Sequence, residues 1–207
     1  MKNILLIRHG QSEWNKLNLF TGFKNVDLTE QGVMEAIKAS KNFKELGIKF
    51  DIVYTSVLSR AQKTSEIILK ELGQHEDLIT SSKIIENIAL NERDYGDLTG
   101  LDKKETADKY GKEQVHKWRR GYSDRPPGGE SLEDVVSRVK SYYDSEIFPQ
   151  IQSESNNNIL IAAHGNSLRA LLLVMGVYQI EDINSVELST GVPIHINYQN
   201  SQFDIKT

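Results

Sequence analysis

The chain of 207 residues has no cysteine, which excludes disulfides and thiolate chemistry and suits a cytoplasmic protein. Proline is scarce, at four residues, and no stretch has the composition of a domain linker. Long apolar runs are missing. The longest, around Leu168–Tyr178, carries Arg169 and falls far short of a membrane span, so no membrane partner is expected. The opening Met1-Lys-Asn-Ile-Leu-Leu-Ile-Arg8 is too short for the apolar part of a signal peptide and no small-residue cleavage site follows, so the chain reads as unexported. An excess of positive charge is absent too. With 25 Lys and Arg against 29 Asp and Glu the net charge is −4, and general nucleic-acid binding is not expected. None of the five histidines stands in a His-x-x-x-His spacing; His75, His116 and His195 lie in unrelated contexts, and neither a metal site nor a Walker A loop is expected.

What is present is an alternation of strand and helix patterns, which favours an α/β fold with a largely parallel sheet, in one domain spanning residues 1–207. Lys2–Arg8 reads as a buried strand. Thr29 reads as the cap of a helix stopped by Gly47, with Val33, Ala36, Ile37, Ser40, Phe43 and Leu46 at helical spacing. Strands are expected at Asp51–Tyr54, Lys83–Ile88 and Ile159–Ala163, and helices at Val57–Leu72, Asp102 to about Tyr110, and Lys112–Arg120. A loop is expected over Asn91–Gly100 and another over Ser123–Gly129. Ser131 with Asp134 predicts the start of a long helix toward Gln152, kinked or ended at Pro149, and a further helix is expected over Ser167–Met175. Pro193–Ile205 has room for one or two edge strands.

One short pattern occurs twice. Ile4-Leu-Leu-Ile-Arg-His-Gly-Gln-Ser12 and Ile159-Leu-Ile-Ala-Ala-His-Gly-Asn-Ser167 each run from an apolar strand into His-Gly, an amide residue and Ser. A histidine at the carboxyl end of a buried strand sits where open α/β sheets bind ligands, so His9 and His164 are expected to share one site. Gly10 and Gly165 would let backbone amides approach an anion. A neutral imidazole can act as a covalent nucleophile, and a second imidazolium beside it can donate to charge developing in the transition state. Arg8, Arg60, Arg93, Arg119 and Arg120 all lie near expected element ends, and guanidinium forks match phosphate oxygens. Glu92, in a polar segment after the third strand, is the candidate general acid and base. The combination points to phosphoryl chemistry without a metal.

Assembled, these residues resemble the histidine phosphatase superfamily, and within it the phosphoglycerate mutases primed by 2,3-bisphosphoglycerate. The resemblance rests on Arg8-His-Gly-Gln-Ser-Glu-Trp-Asn15, Phe20-Thr-Gly22, Tyr54-Thr-Ser-Val-Leu-Ser-Arg60, Leu90-Asn-Glu-Arg-Asp-Tyr95-Gly, Lys103, Trp118-Arg-Arg120 and Ala162-Ala-His-Gly-Asn-Ser-Leu-Arg-Ala170. It implies a three-layer α/β/α sandwich with a mostly parallel central sheet, residues from about 90 to 130 forming a helical insertion over the substrate. It further implies that His9 is phosphorylated, that Glu92 carries protons, and that His164, Arg8, Arg60 and Asn15 surround the phosphoryl group with Gly165 and Asn166 nearby. Ser12 and Arg93 are further candidates for contact. Thr21, Gly22, Tyr95, Lys103, Arg119 and Arg120 are implied to hold the substrate's remaining oxygens. The implied partners are small phosphoglycerates and the implied reaction is the interconversion of 3- and 2-phosphoglycerate in glycolysis and gluconeogenesis. The implied compartment is the cytoplasm, and a homo-oligomer, a dimer first, is expected.

Two departures keep a second reading open. Gly121–Gly129 joins directly to Glu130-Ser-Leu132, where longer mutases carry an extra segment, and the chain stops at Thr207 without the longer family tail. A shorter cover exposes a phosphohistidine to water, so a phosphatase using the same His9 is the alternative. A binding module without catalysis is the third reading; His9, His164 and Glu92 together argue against it.

Overall fold

A computed structural model describes residues 1–206. Along the chain run β1 (Lys2–Arg8), α1 (Glu13–Lys16), α2 (Glu30–Glu45), β2 (Ile52–Thr55), α3 (Ser59–Glu71), α4 (His75–Thr80), β3 (Ile84–Glu86), α5 (Lys103–Tyr110), α6 (Lys112–Arg120), α7 (Leu132–Tyr142), α8 (Phe148–Gln152), β4 (Asn158–Ala163), α9 (Gly165–Val174), α10 (Ile180–Ile183), β5 (Pro193–Gln199) and β6 (Gln202–Ile205). The strands form one sheet in the order β3-β2-β4-β1-β5-β6. β1 to β4 are parallel, and the β5–β6 hairpin adds to β1 antiparallel. This is the expected three-layer α/β/α sandwich.

The apolar strands have no polar face because both faces are covered. Leu5, Ile7, Val53, Leu160 and Ala162 pack with Ala36, Ala39 and Phe43 of α2 and Ile68 and Leu69 of α3. Their neighbours Ile4, Leu6, Ile52, Tyr54, Ile159 and Ile161 point the other way, onto Val135 and Val139 of α7 and Leu168 and Leu171 of α9. Phe43 is fully buried and meets Phe50 edge-on at 5.4 Å; truncating it to alanine costs about 3–5 kcal/mol. A third, small cluster of Phe20, Leu98 and Val115, flanked by Tyr95 and Trp118, seats α5 and α6 beside the sheet's carboxyl edge.

Local signals hold where they are short-range. Thr29 caps α2 by accepting from the Gly32 amide, and Ser131 and Asp134 form the reciprocal capping box of α7. Pro149 is where the chain departs from expectation. It does not end the helix: one π-helical turn, Tyr143–Ile147, precedes α8, and Pro149 falls in the first turn of α8. There its missing N–H costs nothing, and the widened turn accommodates the ring. The third strand is also shorter than expected, since Ile88–Leu90 turns into a 3₁₀ helix capped by Asn87.

Candidate active site

The histidine pair is a product of strand pairing. β1 and β4 are neighbours, with Arg8 opposite Ala163, so the residues that follow, His9 and His164, emerge side by side. The His9 amide continues the ladder to the Ala163 carbonyl at 3.0 Å, and the two rings lie 5.0 Å apart, close to the spacing of adjacent strands.

The two rings are held differently. His9 Nδ1 is 2.7 Å from the Gly10 carbonyl, an acceptor, so Nδ1 carries the proton and Nε2 the lone pair. That lone pair accepts from Arg60 Nε at 3.2 Å. His164 Nε2 lies 2.7 Å from Ser56 Oγ, whose oxygen also accepts from the Leu58 amide, and its buried Nδ1 has no partner. Burial, then Arg60, hold both rings well below the ordinary histidine value, with Arg8 adding to the effect on each. This corrects the expectation of a ready-made imidazolium: both are neutral at rest, which leaves His9 nucleophilic.

Arg60, on the first turn of α3, clasps the loop that precedes α2, donating to the carbonyls of Gly22 at 3.0 Å and Lys24 at 2.9 Å. Arg8 donates through Nη1 to the Leu188 carbonyl at 2.8 Å, while its buried Nε has no partner. Glu92 is anchored by one oxygen only. Oε1 accepts from the Arg93 amide (2.8 Å), the Asn166 amide (3.0 Å) and Asn166 Nδ2 (3.0 Å), and Oε2 is left unbonded. Burial raises its pKa, but the Arg93 amide, Arg8, Asn166 and Arg60 outweigh it, and the carboxyl sits below its ordinary value. Glu92 is therefore ionised at rest, ready to accept a proton.

One cavity gathers most of the candidates. Arg8, His9, Asn15, Thr21, Gly22, Arg60, Glu92, Tyr95, Lys103, Arg119, Arg120, Gly165 and Asn166 all line it, joined by Leu19, Arg169 and Glu187. Burial first, then Arg119 and Arg8, push Lys103 down to about 8. Such a density of cations around buried unpaired donors suits a multiply charged anion.

The sequence matches say whose site this is. Residues 4–207 match the family model described as histidine phosphatase superfamily (branch 1). A relative from Bartonella bacilliformis, named 2,3-bisphosphoglycerate-dependent phosphoglycerate mutase, is 54% identical over 93% of this chain and 90% of its own length. A relative of the same name from Parvibaculum lavamentivorans is 52% identical over 94% of this chain and 90% of its own. The chain belongs to the histidine phosphatase superfamily, within its phosphoglycerate mutase family. Because these mutase relatives are matched over nine tenths of their length, the short link after Arg120 is not by itself a mark of a phosphatase.

The superfamily's fold is common to both activities. A phosphoglycerate mutase from Bacillus anthracis superposes with a TM-score of 0.81 at 20% identity, covering 100% of this chain and 92% of that one. A mycobacterial glucosyl-3-phosphoglycerate phosphatase superposes at 0.83 and 18%, covering 100% and 98%.

Three expected contacts lie outside the cavity lining. His164 stands behind it, fully buried. Ser12 spends its hydroxyl on the cap of α1, accepting from the Asn15 amide at 3.3 Å. The Arg93 side chain turns inward, hydrogen-bonded to the Trp118 carbonyl and lying over the Tyr95 ring at 5.0 Å. Gly10 does not offer its amide to an anion, since that N–H donates to Thr64 Oγ1 at 3.1 Å. Helix α9 begins at Gly165 rather than Ser167, with His164 as its cap, and the first-turn amide of Asn166 goes to Glu92. Arg169, like Leu19 and Glu187, is a cavity residue that sequence reading passes over. It looks like an interruption of an apolar run, yet it lies one helical turn after Gly165 and so shares its face. It is anchored by Nε and Nη2 on the Val186 carbonyl at 3.1 and 2.7 Å.

Proposed function

We propose that this chain is a phosphoglycerate mutase that interconverts 3-phosphoglycerate and 2-phosphoglycerate through phosphorylated His9, in glycolysis and gluconeogenesis. The observation that carries the reading is that one cavity is lined by two sets of groups. One is the His9 lone pair against Arg60 with an ionised Glu92 that has a free oxygen; the other is the cations Lys103, Arg119 and Arg120. A phosphorylated sugar acid has a group for each set. The relatives' names support the same reading.

The unpartnered, buried Arg8 Nε and His164 Nδ1 together with the cations Lys103, Arg119 and Arg120 fit 2,3-bisphosphoglycerate, with its two phosphates. Bound there, that compound supplies the phosphoryl group with which His9 is first loaded. Arg8, Arg60 and Asn15 hold the transferring group, with Gly165 and Asn166 beside it. Thr21, Gly22, Tyr95, Lys103, Arg119 and Arg120 hold the carboxylate and the non-reacting oxygens, and α5 and α6 cover them.

The residues divide the work. His9 attacks phosphorus with Nε2, and the Gly10 carbonyl on Nδ1–H steadies the positive charge the ring acquires. In the forward transfer the phosphoryl group leaves Nε2 for the substrate's free hydroxyl, whose proton passes to Glu92 Oε2. When Nε2 takes back the phosphoryl group from the neighbouring carbon, Glu92 returns the proton to the leaving oxygen. His164 donates to the oxygens of the transferring group and is steadied by Ser56.

The cytoplasm is the compartment this reading implies; among the described residues no helix is long and apolar enough to cross a membrane. The test is to supply 3-phosphoglycerate with and without catalytic 2,3-bisphosphoglycerate and follow 2-phosphoglycerate and free phosphate. Formation of 2-phosphoglycerate, stimulated by the primer, is expected. Free phosphate with no 2-phosphoglycerate would overturn the mutase in favour of the phosphatase.

A further inference from the structure

Glu92 sits on a loop with little regular structure, between the 3₁₀ turn Ile88–Leu90 and a second one at Gly96–Leu98. Something must hold that loop still if its carboxylate is to meet a hydroxyl at hydrogen-bond distance. We propose that Glu130 and Arg138, neither of which lines the cavity, form a positioning pair that fixes Glu92 for proton transfer.

The geometry is specific. Arg138, on α7, meets Glu130 with two bonds, Nε to Oε1 at 2.8 Å and Nη2 to Oε2 at 3.0 Å. The same guanidinium donates to two carbonyls of the Glu92 loop, Nη1 to Ala89 at 2.7 Å and Nη2 to Glu92 itself at 3.0 Å. Glu130 completes the clamp from its own side. Its Oε2 accepts from the Asp94 amide at 2.9 Å, and its amide donates to the Asp94 carbonyl at 2.9 Å. The loop is thus gripped on both sides of the catalytic carboxylate. Arg138 also lies 5.7 Å from the Phe23 ring, next to the Gly22 carbonyl that holds Arg60.

The link Pro126-Pro-Gly-Gly-Glu130 acquires a purpose from this. It is pressed against the Glu92 loop so closely that a Cβ on Gly129 would come within 2.6 Å of the Asp94 carbonyl oxygen. A Cβ on Gly96 would come within 2.3 Å of the Pro127 carbonyl oxygen. The link braces the loop from the far side of the cavity. An arginine suits the job because its planar fork reaches Ala89, Glu92 and Glu130 at once, which a lysine ammonium cannot do. Glu130 in turn balances a charge that is otherwise held near Glu92 and His164.

The proposal rests on the reading of Glu92 as the proton carrier, and the test separates the two. Wild type, Arg138→Met, Arg138→Lys, Glu130→Gln and Glu92→Gln are compared on phosphoglycerate and on para-nitrophenyl phosphate, whose leaving group departs as an anion and needs no proton. Arg138→Met is expected to lower kcat for phosphoglycerate roughly 10- to 100-fold with little change in KM, since a small misplacement of a catalytic group suffices for that. The first-turnover burst of nitrophenolate, which accompanies loading of His9, should keep its rate within about threefold, because that loading bypasses Glu92; the later discharge of phospho-His9 to water is not part of this comparison. Arg138→Lys should recover part of the loss, and the isosteric Glu130→Gln should show the same pattern more weakly. Equal losses on both substrates, in Glu130→Gln as well as Arg138→Met, would overturn the pair as a positioning device, as would no loss on either. If Glu92→Gln abolishes phosphoglycerate turnover while the Arg138 and Glu130 variants keep it, the pair alone fails. If Glu92→Gln keeps turnover, the role of Glu92 fails, and the pair's with it.

Discussion

His9-Gly10 and His164-Gly165 are spelled alike, follow neighbouring parallel strands and lie 5.0 Å apart, yet the chain treats them as opposites. At the first corner the glycine serves packing. A Cβ on Gly10 would lie 2.2 Å from the Gly32 carbonyl oxygen, and one on Gly32 would lie 2.2 Å from that of Gln11, so two glycines let α2 pass directly under the corner. At the second corner the glycine serves the cavity. A Cβ on Gly165 would make ordinary contacts, 3.5 Å to Arg169 Nη1, 3.6 Å to Glu92 Oε2 and 3.9 Å to Arg8 Nε. The histidines diverge as well. His9 presents its lone pair to Arg60, whereas His164 is tied through Nε2 to Ser56 and caps α9. Similar local sequence yields a lone pair facing Arg60 in one place and a ring tied to Ser56 in the other because different segments arrive to meet them.

Replacement of each histidine gives the largest expected difference. His9→Ala should lose about 10⁴-fold in turnover and all acid-labile phosphoprotein. His164→Ala should lose about 10²- to 10³-fold while still accepting phosphate on His9. Phosphate trapping on the His9→Ala protein would end the asymmetry. Next come the glycines. Gly10→Ala is expected to destabilise the fold by about 2–3 kcal/mol in urea unfolding, because backbone must move. Gly165→Ala should fold within about 1 kcal/mol of wild type and lower kcat/KM about tenfold instead. Equal unfolding midpoints for the two would remove the distinction.

The pH profile gives the smallest effect. Both histidines stay uncharged when folded, so neither should add an inflection to kcat/KM at the ordinary histidine value of 6.5, once titration of the substrate's own phosphate is allowed for. Above about 8, where Lys103 loses its proton, its charge is no longer available to an anionic substrate, and kcat/KM should fall. An acid limb centred at 6.5, beyond what titration of the substrate's own phosphate accounts for, would show that one histidine is protonated below that pH and must lose its proton before it reacts.

Much of the architecture is local in origin and therefore legible. The limits of β1 and α6 and the caps at Thr29, Asp102 and Ser131 follow from residues a few positions apart, and they stand where they are expected. Pro149 misleads because a proline's effect depends on the turn before it, and a π-helical turn leaves no clear signal in one sequence. Ser12 and Arg93 lie beside residues that do line the cavity, but rotation about their own bonds sends one hydroxyl to a helix cap and one guanidinium into the interior.

From the sequence alone follow the α/β fold with a largely parallel sheet, the pairing of two histidines at one edge, and a set of arginines with one glutamate at hand for phosphoryl chemistry, because apolar periodicity and strand-end motifs are short-range. Only the tertiary structure decided which imidazole nitrogen holds a lone pair, which Glu92 oxygen is free, and that a proline-glycine link braces the loop between them. Those depend on Ser56, Arg60 and Arg138 meeting groups tens of residues away, where burial and hydrogen-bond partners, not residue identity, set direction and charge.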